Sequence, residues 1–305
     1  MNSLKTTNYA GRTVYNVLGF IWIPWAIVMA MTGAWKEALA VSIVFALGLI
    51  DDLFGTSESK GFRGHLRALK KGKVTTGLMK LAGISLVALV YMISAYQEYL
   101  SWNANPFLGH SSYGMIRDEL FDTMFLFITS GETTSLPKAI AIILIAAASI
   151  ALTSNFINLM DLRPGRASKA FLMLAAIPVM TGLLGYILGF RIATPDSSPL
   201  LYLKEWGSYL LYSTFLLMAA LWPILLTIIP DLREKAMLGD GGANAAGFLA
   251  GLLLVSSCSP MTLIIYFLLM LALNLASEKI SYSQVIDNNR LLKKLDNIGR
   301  LKSGE

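Results

Sequence analysis

The chain has 305 residues, of which 55% are apolar and 14% charged, with mean hydropathy +0.60 and a formal net charge of +6. Long apolar runs separated by charged clusters exclude an ordinary soluble enzyme or a nucleic-acid-binding module and describe a polytopic α-helical membrane protein. A single cysteine, Cys258, excludes an internal disulfide and a cysteine-rich metal site, and the two histidines, His65 and His110, lie far apart.

The first twelve residues, MNSLKTTNYAGR, are polar, and no small-residue cleavage site follows the first apolar run, so that run reads as a retained helix. A window of about 20 residues, the length that crosses hydrocarbon, predicts eight spans at 13–33, 37–51, 77–95, 138–158, 168–190, 208–229, 242–257 and 260–277. Residues 110–130 mix MFLFI with Arg117, Asp118, Glu119 and Asp122, and read as an outer loop with an interfacial amphipathic helix. The tail, about 278–305, contains LLKKLDNIGR and reads as a cytoplasmic segment with an amphipathic surface helix. With the N-terminus inside, twenty Lys and Arg fall on the inner side and only Lys36, Arg117, Lys138, Arg191 and Lys204 on the outer. That asymmetry predicts that both termini are cytoplasmic. No repeat or linker divides the chain, so residues 1–305 form one all-α transmembrane bundle.

This topology gathers polar groups on one membrane face. Asp51 and Asp52 end the run AVSIVFALGLI with no polar residue between. Carboxylates at an apolar edge cost roughly 3 kcal/mol unless water, a cation or a partner meets them. Asn155, Asn158 and Asp161 form a stripe at the end of the fourth span. Asp231 follows the sixth, and Asp240 stands between glycines in MLGDGGANAAG at the entry to the seventh. Oxygen donors without clustered His or Cys suit Mg²⁺, or Mn²⁺, rather than zinc or copper. A basic loop, ESKGFRGHLRALKKGKVTTGLMK, lies beside them with Lys80 near its end. A divalent cation and basic side chains at a membrane surface read as handling of phosphate or diphosphate esters. The bland readings are helix caps for Asp51, Asp52 and Asp240, interhelical hydrogen bonds for Asn155 and Asn158, and a topology signal for the basic loop.

The order GLIDDLFG, NFINLMD, MLGDGG, each at a cytoplasmic span end, resembles the polyprenyl-phosphate N-acetylhexosamine-1-phosphate transferase family. Its members include the phospho-MurNAc-pentapeptide translocases and the lipid-linked GlcNAc-1-phosphate transferases. The resemblance implies transfer of a sugar-1-phosphate from a UDP-sugar to undecaprenyl or another polyprenyl phosphate, with release of UMP, for cell-envelope glycan synthesis. It implies Mg²⁺, a multi-pass location in the bacterial inner membrane with the site on the cytoplasmic face, and a homodimer. Carried onto this chain, Asp51 and Asp52 are the catalytic pair, with Asp51 as the base for the lipid phosphate. Asn155, Asn158 and Asp161 lie on the nucleotide side, and Asp240 holds the metal. Lys80, Arg163 and Arg166 are the basic residues that offset the repulsion between two anionic substrates.

The chain departs from the family in three places. It reads DLRPGRA where members continue as DGxDG, so Pro164 stands in place of a further aspartate. No histidine cluster follows the eighth span, which argues against peptidoglycan-precursor transfer. Eight spans are also fewer than the ten or eleven usual there. Two other classes stay open: a silent homologue that binds lipid phosphate, and a transporter or flippase, whose ionisable groups would sit near the bilayer midplane.

Overall fold

A computed structural model describes residues 4–7, 11–55, 61–104, 136–192 and 218–300; the helix expected within 110–130 and the start of the span expected at 208–229 lie outside them. The described chain is predominantly helical. It opens with β1 (Lys5–Thr7), β2 (Thr13–Asn16) and a 3₁₀ turn at Leu18–Ile21. The helices α1 (Trp22–Met31), α2 (Trp35–Phe54), α3 (Gly61–Lys70), α4 (Thr76–Ala104), α5 (Leu136–Met160), α6 (Arg166–Ile192) and α7 (Met218–Leu232) follow. After β3 (Ala236–Met237) come α8 (Gly239–Ser256), α9 (Pro260–Ser277), α10 (Tyr282–Asn288) and α11 (Arg290–Asp296).

Three of these are long and apolar enough to cross a membrane: α4 over Thr76–Ser101, α5, and α9. On α9 the apolar surface is mostly outward, with Met261, Ile265, Leu268 and Leu269 exposed and only Leu263, Tyr266 and Met270 buried. The other predicted spans are helical in place, α6 and α8 within a few residues of 168–190 and 242–257.

Two boundaries differ from expectation. The first predicted span was to begin at residue 13, yet residues 13–16 form a strand, and the helix proper begins at Trp22. Thr13, Val14 and Tyr15 favour extended backbone, and β2 pairs on one side with β1 (Lys5 opposite Tyr15) and on the other, in parallel, with β3 (Asn16 opposite Met237). This small sheet is the one departure from an all-α fold among the described residues. The second predicted span was to end at residue 51, whereas α2 continues to Phe54 and keeps both aspartates in its last turn. Gly55 then turns extended, with its N–H bonded to the Asp51 carbonyl at 2.8 Å.

The core is built around α8. Its sequence, GDGGANAAGFLAGLLLVS, is rich in small residues, and every position from Gly241 to Ser256 is buried. Small side chains let neighbouring backbones come close. A Cβ on Gly247 would fall 2.6 Å from the Ser154 Cα of α5, one on Gly251 2.9 Å from the Ile150 Cα, and one on Gly48 of α2 2.5 Å from the Asp240 carbonyl oxygen. Trp22 fixes the start of α1 to this centre by donating its Nε1–H to the Gly242 carbonyl at 3.0 Å. The helix that carries Asp240 is therefore clasped between α2 and α5, the helices that carry the other motifs.

Candidate functional site

Asp51 and Asp52 occupy adjacent positions on α2, so their side chains point about 100° apart and meet different partners. Asp51 Oδ2 lies 2.7 Å from Lys80 Nζ, and Thr76 at the start of α4 also bonds its carboxyl. Lys80, buried one turn further along α4, reaches past Asp51 to donate to Asp240 Oδ2 in the first turn of α8. One ammonium thus joins two carboxylates from two other helices, and those carboxyls lie within hydrogen-bonding reach of each other.

Asp52 is held from the opposite side. Its Oδ2 accepts the Gly241 backbone N–H at 3.0 Å, and its Oδ1 accepts Asn16 Nδ2 at 3.1 Å. Asn16 is brought there by the β2–β3 pairing, which delivers the end of β3 to the start of α8. Gly239 completes that turn with a positive φ of 70°, and a Cβ there would fall 2.8 Å from Asn16 Cβ and 2.9 Å from Asp52 Oδ2. Only glycine satisfies both the left-handed backbone and the close approach.

A second group lies at the end of α5. Asp161 follows Met160 in the turn between α5 and α6, and its carboxyl accepts the Gly239 backbone N–H. Burial, followed by the charges of Asp231, Asp240 and Asp52, pushes the Asp161 carboxyl well above the usual carboxylate range. Asp231, fully buried at the end of α7, takes a hydrogen bond from the Gly165 backbone and a long one, 3.4 Å, from Ser168 Oγ. Asn158 Oδ1, Asp161 Oδ1 and Asp231 Oδ1 are buried and have no protein partner.

The remaining sequence-predicted residues make their contacts elsewhere. Asn155 Nδ2 donates to Asn274 Oδ1 at 2.6 Å, and Asn274 in turn donates to the carbonyls of Leu152 and Met270, so Asn155 braces α5 against α9. Arg163 forks onto Asp287 with contacts of 2.9 and 2.5 Å. Arg166 forks onto Asp296 at 2.8 and 2.9 Å and donates to Ser283 Oγ at 2.8 Å. Both arginines therefore point to the tail rather than to the group around Lys80. The Arg163 charge and hydrogen bonds hold the Asp287 carboxyl below its usual range.

Sequence reasoning missed Asn16, Thr76, Asp287 and Asp296. Nothing periodic marks them, since each acts through a partner far away in sequence. As for a metal, no group of three or more His, Cys, Asp or Glu side chains among the described residues is spaced to cage one. Magnesium does not require such a cage: one or two carboxylates together with substrate phosphates suffice. Asp240, with the unpartnered Asp161 oxygen electrostatically coupled to it, fits that donor chemistry. No protein-family model, no curated protein and no solved structure matches this chain.

Proposed function

We propose that this chain is a Mg²⁺-dependent integral membrane enzyme that transfers a sugar-1-phosphate from a UDP-sugar to a polyprenyl phosphate, releasing UMP. In this reading it crosses the bacterial inner membrane about eight times, with both termini and the site on the cytoplasmic face and with cell-envelope glycan synthesis as its purpose. The observation that carries the reading is the junction of Asp51, Asp240 and Lys80 from three separate helices. The outward apolar surface of α9, which would promote association in water, supports the membrane setting.

The reaction is an in-line displacement. An oxygen of the lipid phosphate attacks the β-phosphorus of the donor, and the bond to the bridging oxygen breaks so that UMP leaves. Lys80 holds the positive charge that lets two anions approach, and a phosphate oxygen competes with Asp51 and Asp240 for its three N–H donors. A phosphate monoester is largely ionised near neutral pH, with a second pKa of about 6, so Asp51 has only the last proton to accept. Asp52, fixed by Asn16 and Gly241, keeps the end of α2 against the start of α8. Bound at Asp240, Mg²⁺ would neutralise the charge developing on the diphosphate. Where the resemblance implies a further aspartate and this chain has Pro164, Asp231 brings a carboxylate from α7 to the neighbouring Gly165 N–H.

A silent homologue that binds lipid phosphate is the second reading. It is favoured by the engagement of Arg163 and Arg166 with the tail, which leaves Lys80, among the described residues, as the cation at the Asp51–Asp240 junction. A transporter is disfavoured because the carboxylates crowd one end of the helices. The deciding experiment is UMP release by purified protein with undecaprenyl phosphate, Mg²⁺ and a panel of UDP-sugars. Turnover with one donor, lost in Asp240→Asn and without metal, establishes the reaction. Absence of turnover in folded, lipid-binding protein favours the silent reading.

A further inference from the structure

The turn 161–166 has two faces. Its first residue, Asp161, accepts the Gly239 N–H beside Asp240, while Arg163, Pro164 and Arg166 all grip the C-terminal segment. Asp296 is the centre of that grip. It is only 6% exposed, and its carboxylate is filled by the Arg166 fork and by Arg300 Nη2 at 2.9 Å. Arg300 then donates its Nε–H to the Pro164 carbonyl at 3.1 Å, and Lys169 Nζ caps the Asp296 carbonyl at 2.5 Å. A solvated tail has no reason to bury a carboxylate. Burying a charge is tolerable only when its hydrogen bonds are complete, and complete bidentate geometry selects one placement.

We propose that residues 281–300 are a positioning strap, anchored by Asp296, that holds the 161–166 turn so that Asp161 meets the nucleotide side of the site. The contact itself stands on geometry alone, and its effect on the donor rests on the transfer reading above. Asp296 and Asp287 are positioning residues, since neither touches the group around Lys80. The strap also gives the tail a role that its sequence, lacking any sugar-recognition pattern, did not disclose.

The test compares full-length wild type with Asp296→Asn, Asp296→Glu and Asp287→Asn in detergent. Hydrogen exchange is read at the Arg166 and Lys169 amides, which are protected by the carbonyls of Arg163 and Gly165. Donor kinetics are read in parallel. Asp296→Asn is expected to speed exchange in 161–169 about tenfold with α4 and α8 unchanged, and to raise the donor KM roughly tenfold with kcat within about twofold. Asp296→Glu should recover part of both effects. Asp287→Asn cuts a surface carboxylate, so it tests the strap even if Asp296→Asn fails to fold, and a smaller shift of the same pattern is expected. Unchanged exchange in the folded variants, or a fall in kcat at constant KM, overturns the strap. If no donor turns over in any protein, the transfer reading has failed, and exchange by itself decides the strap.

Discussion

Two groups of carboxylates lie side by side and are built on opposite principles. Around Lys80 the carboxylates are matched with partners: the ammonium joins Asp51 and Asp240, and Asp52 is closed off by Asn16 and Gly241. Around Asp161 they are not: Asp161 and Asp231 repel, and oxygens of both, with one of Asn158, have no protein partner. The first arrangement is preorganised, and a competing anion can open it by taking the Lys80 N–H donors. The second is incomplete and gains from a cation or a donor. Under the proposed transfer, one half would receive a phosphate and the other a metal–nucleotide complex.

Breaking the matched half should have the largest effect. Lys80→Met leaves two carboxylates facing each other, and with Asp240→Asn it is expected to lower UMP release by about 10²- to 10³-fold. Retained turnover in either variant would refute the role given to this junction. Next in size is the turn that joins the two halves. Gly239→Ala imposes a side chain on a left-handed residue against Asn16 and Asp52, and should cost about 1–3 kcal/mol. A thermal melt equal to that of wild type would show that the turn relaxes freely.

The unmatched half is sharpened by pH. Because the Asp161 carboxyl is raised in the folded protein, the folded state holds a proton that the unfolded chain has already released. Its contribution to stability is thus present below the usual carboxylate range and is lost as pH rises through the raised value. The melting temperature of wild type should fall across that window, that of Asp161→Asn should fall less, and Mg²⁺ should raise it in wild type alone. Equal profiles for both proteins would place the imbalance elsewhere. The smallest effect belongs to the brace outside both halves: replacing Asn155 and Asn274 together by alanine should cost about 1 kcal/mol and leave donor KM unchanged.

Much of the matched half was legible because charge at an apolar edge is costly wherever it occurs. Asp51, Asp52 and Asp240 stood out by position, and Lys80 was picked out with the basic loop. What could not be read were contacts without a local pattern. Asn16 meets Asp52 through a strand pairing invisible to a hydropathy window, which instead extended a span over residues 13–16. Arg163 and Arg166 are legible as cations, but their partners Asp287 and Asp296 lie more than a hundred residues away in a polar tail, where no local pattern marks them. Asn155 was visible, and its bland reading as an interhelical hydrogen bond is the one the geometry matches. Helix positions followed hydrophobicity closely, whereas helix ends followed tertiary partners.

The parallel pairing of β2 with β3 has a consequence in time. Asp52 and the Gly241 N–H that it accepts are 189 residues apart, and synthesis at roughly 5–20 residues per second separates them by about 10–40 s. Through that interval α2 is complete and Asp51 has its partners Thr76 and Lys80 on α4, while Asp52 still lacks the Gly241 N–H of α8 and β2 its pairing with β3. The junction of Asp51, Lys80 and Asp240 is therefore completed only once α8 has emerged, and the grip of residues 281–300 on the 161–166 turn follows later still.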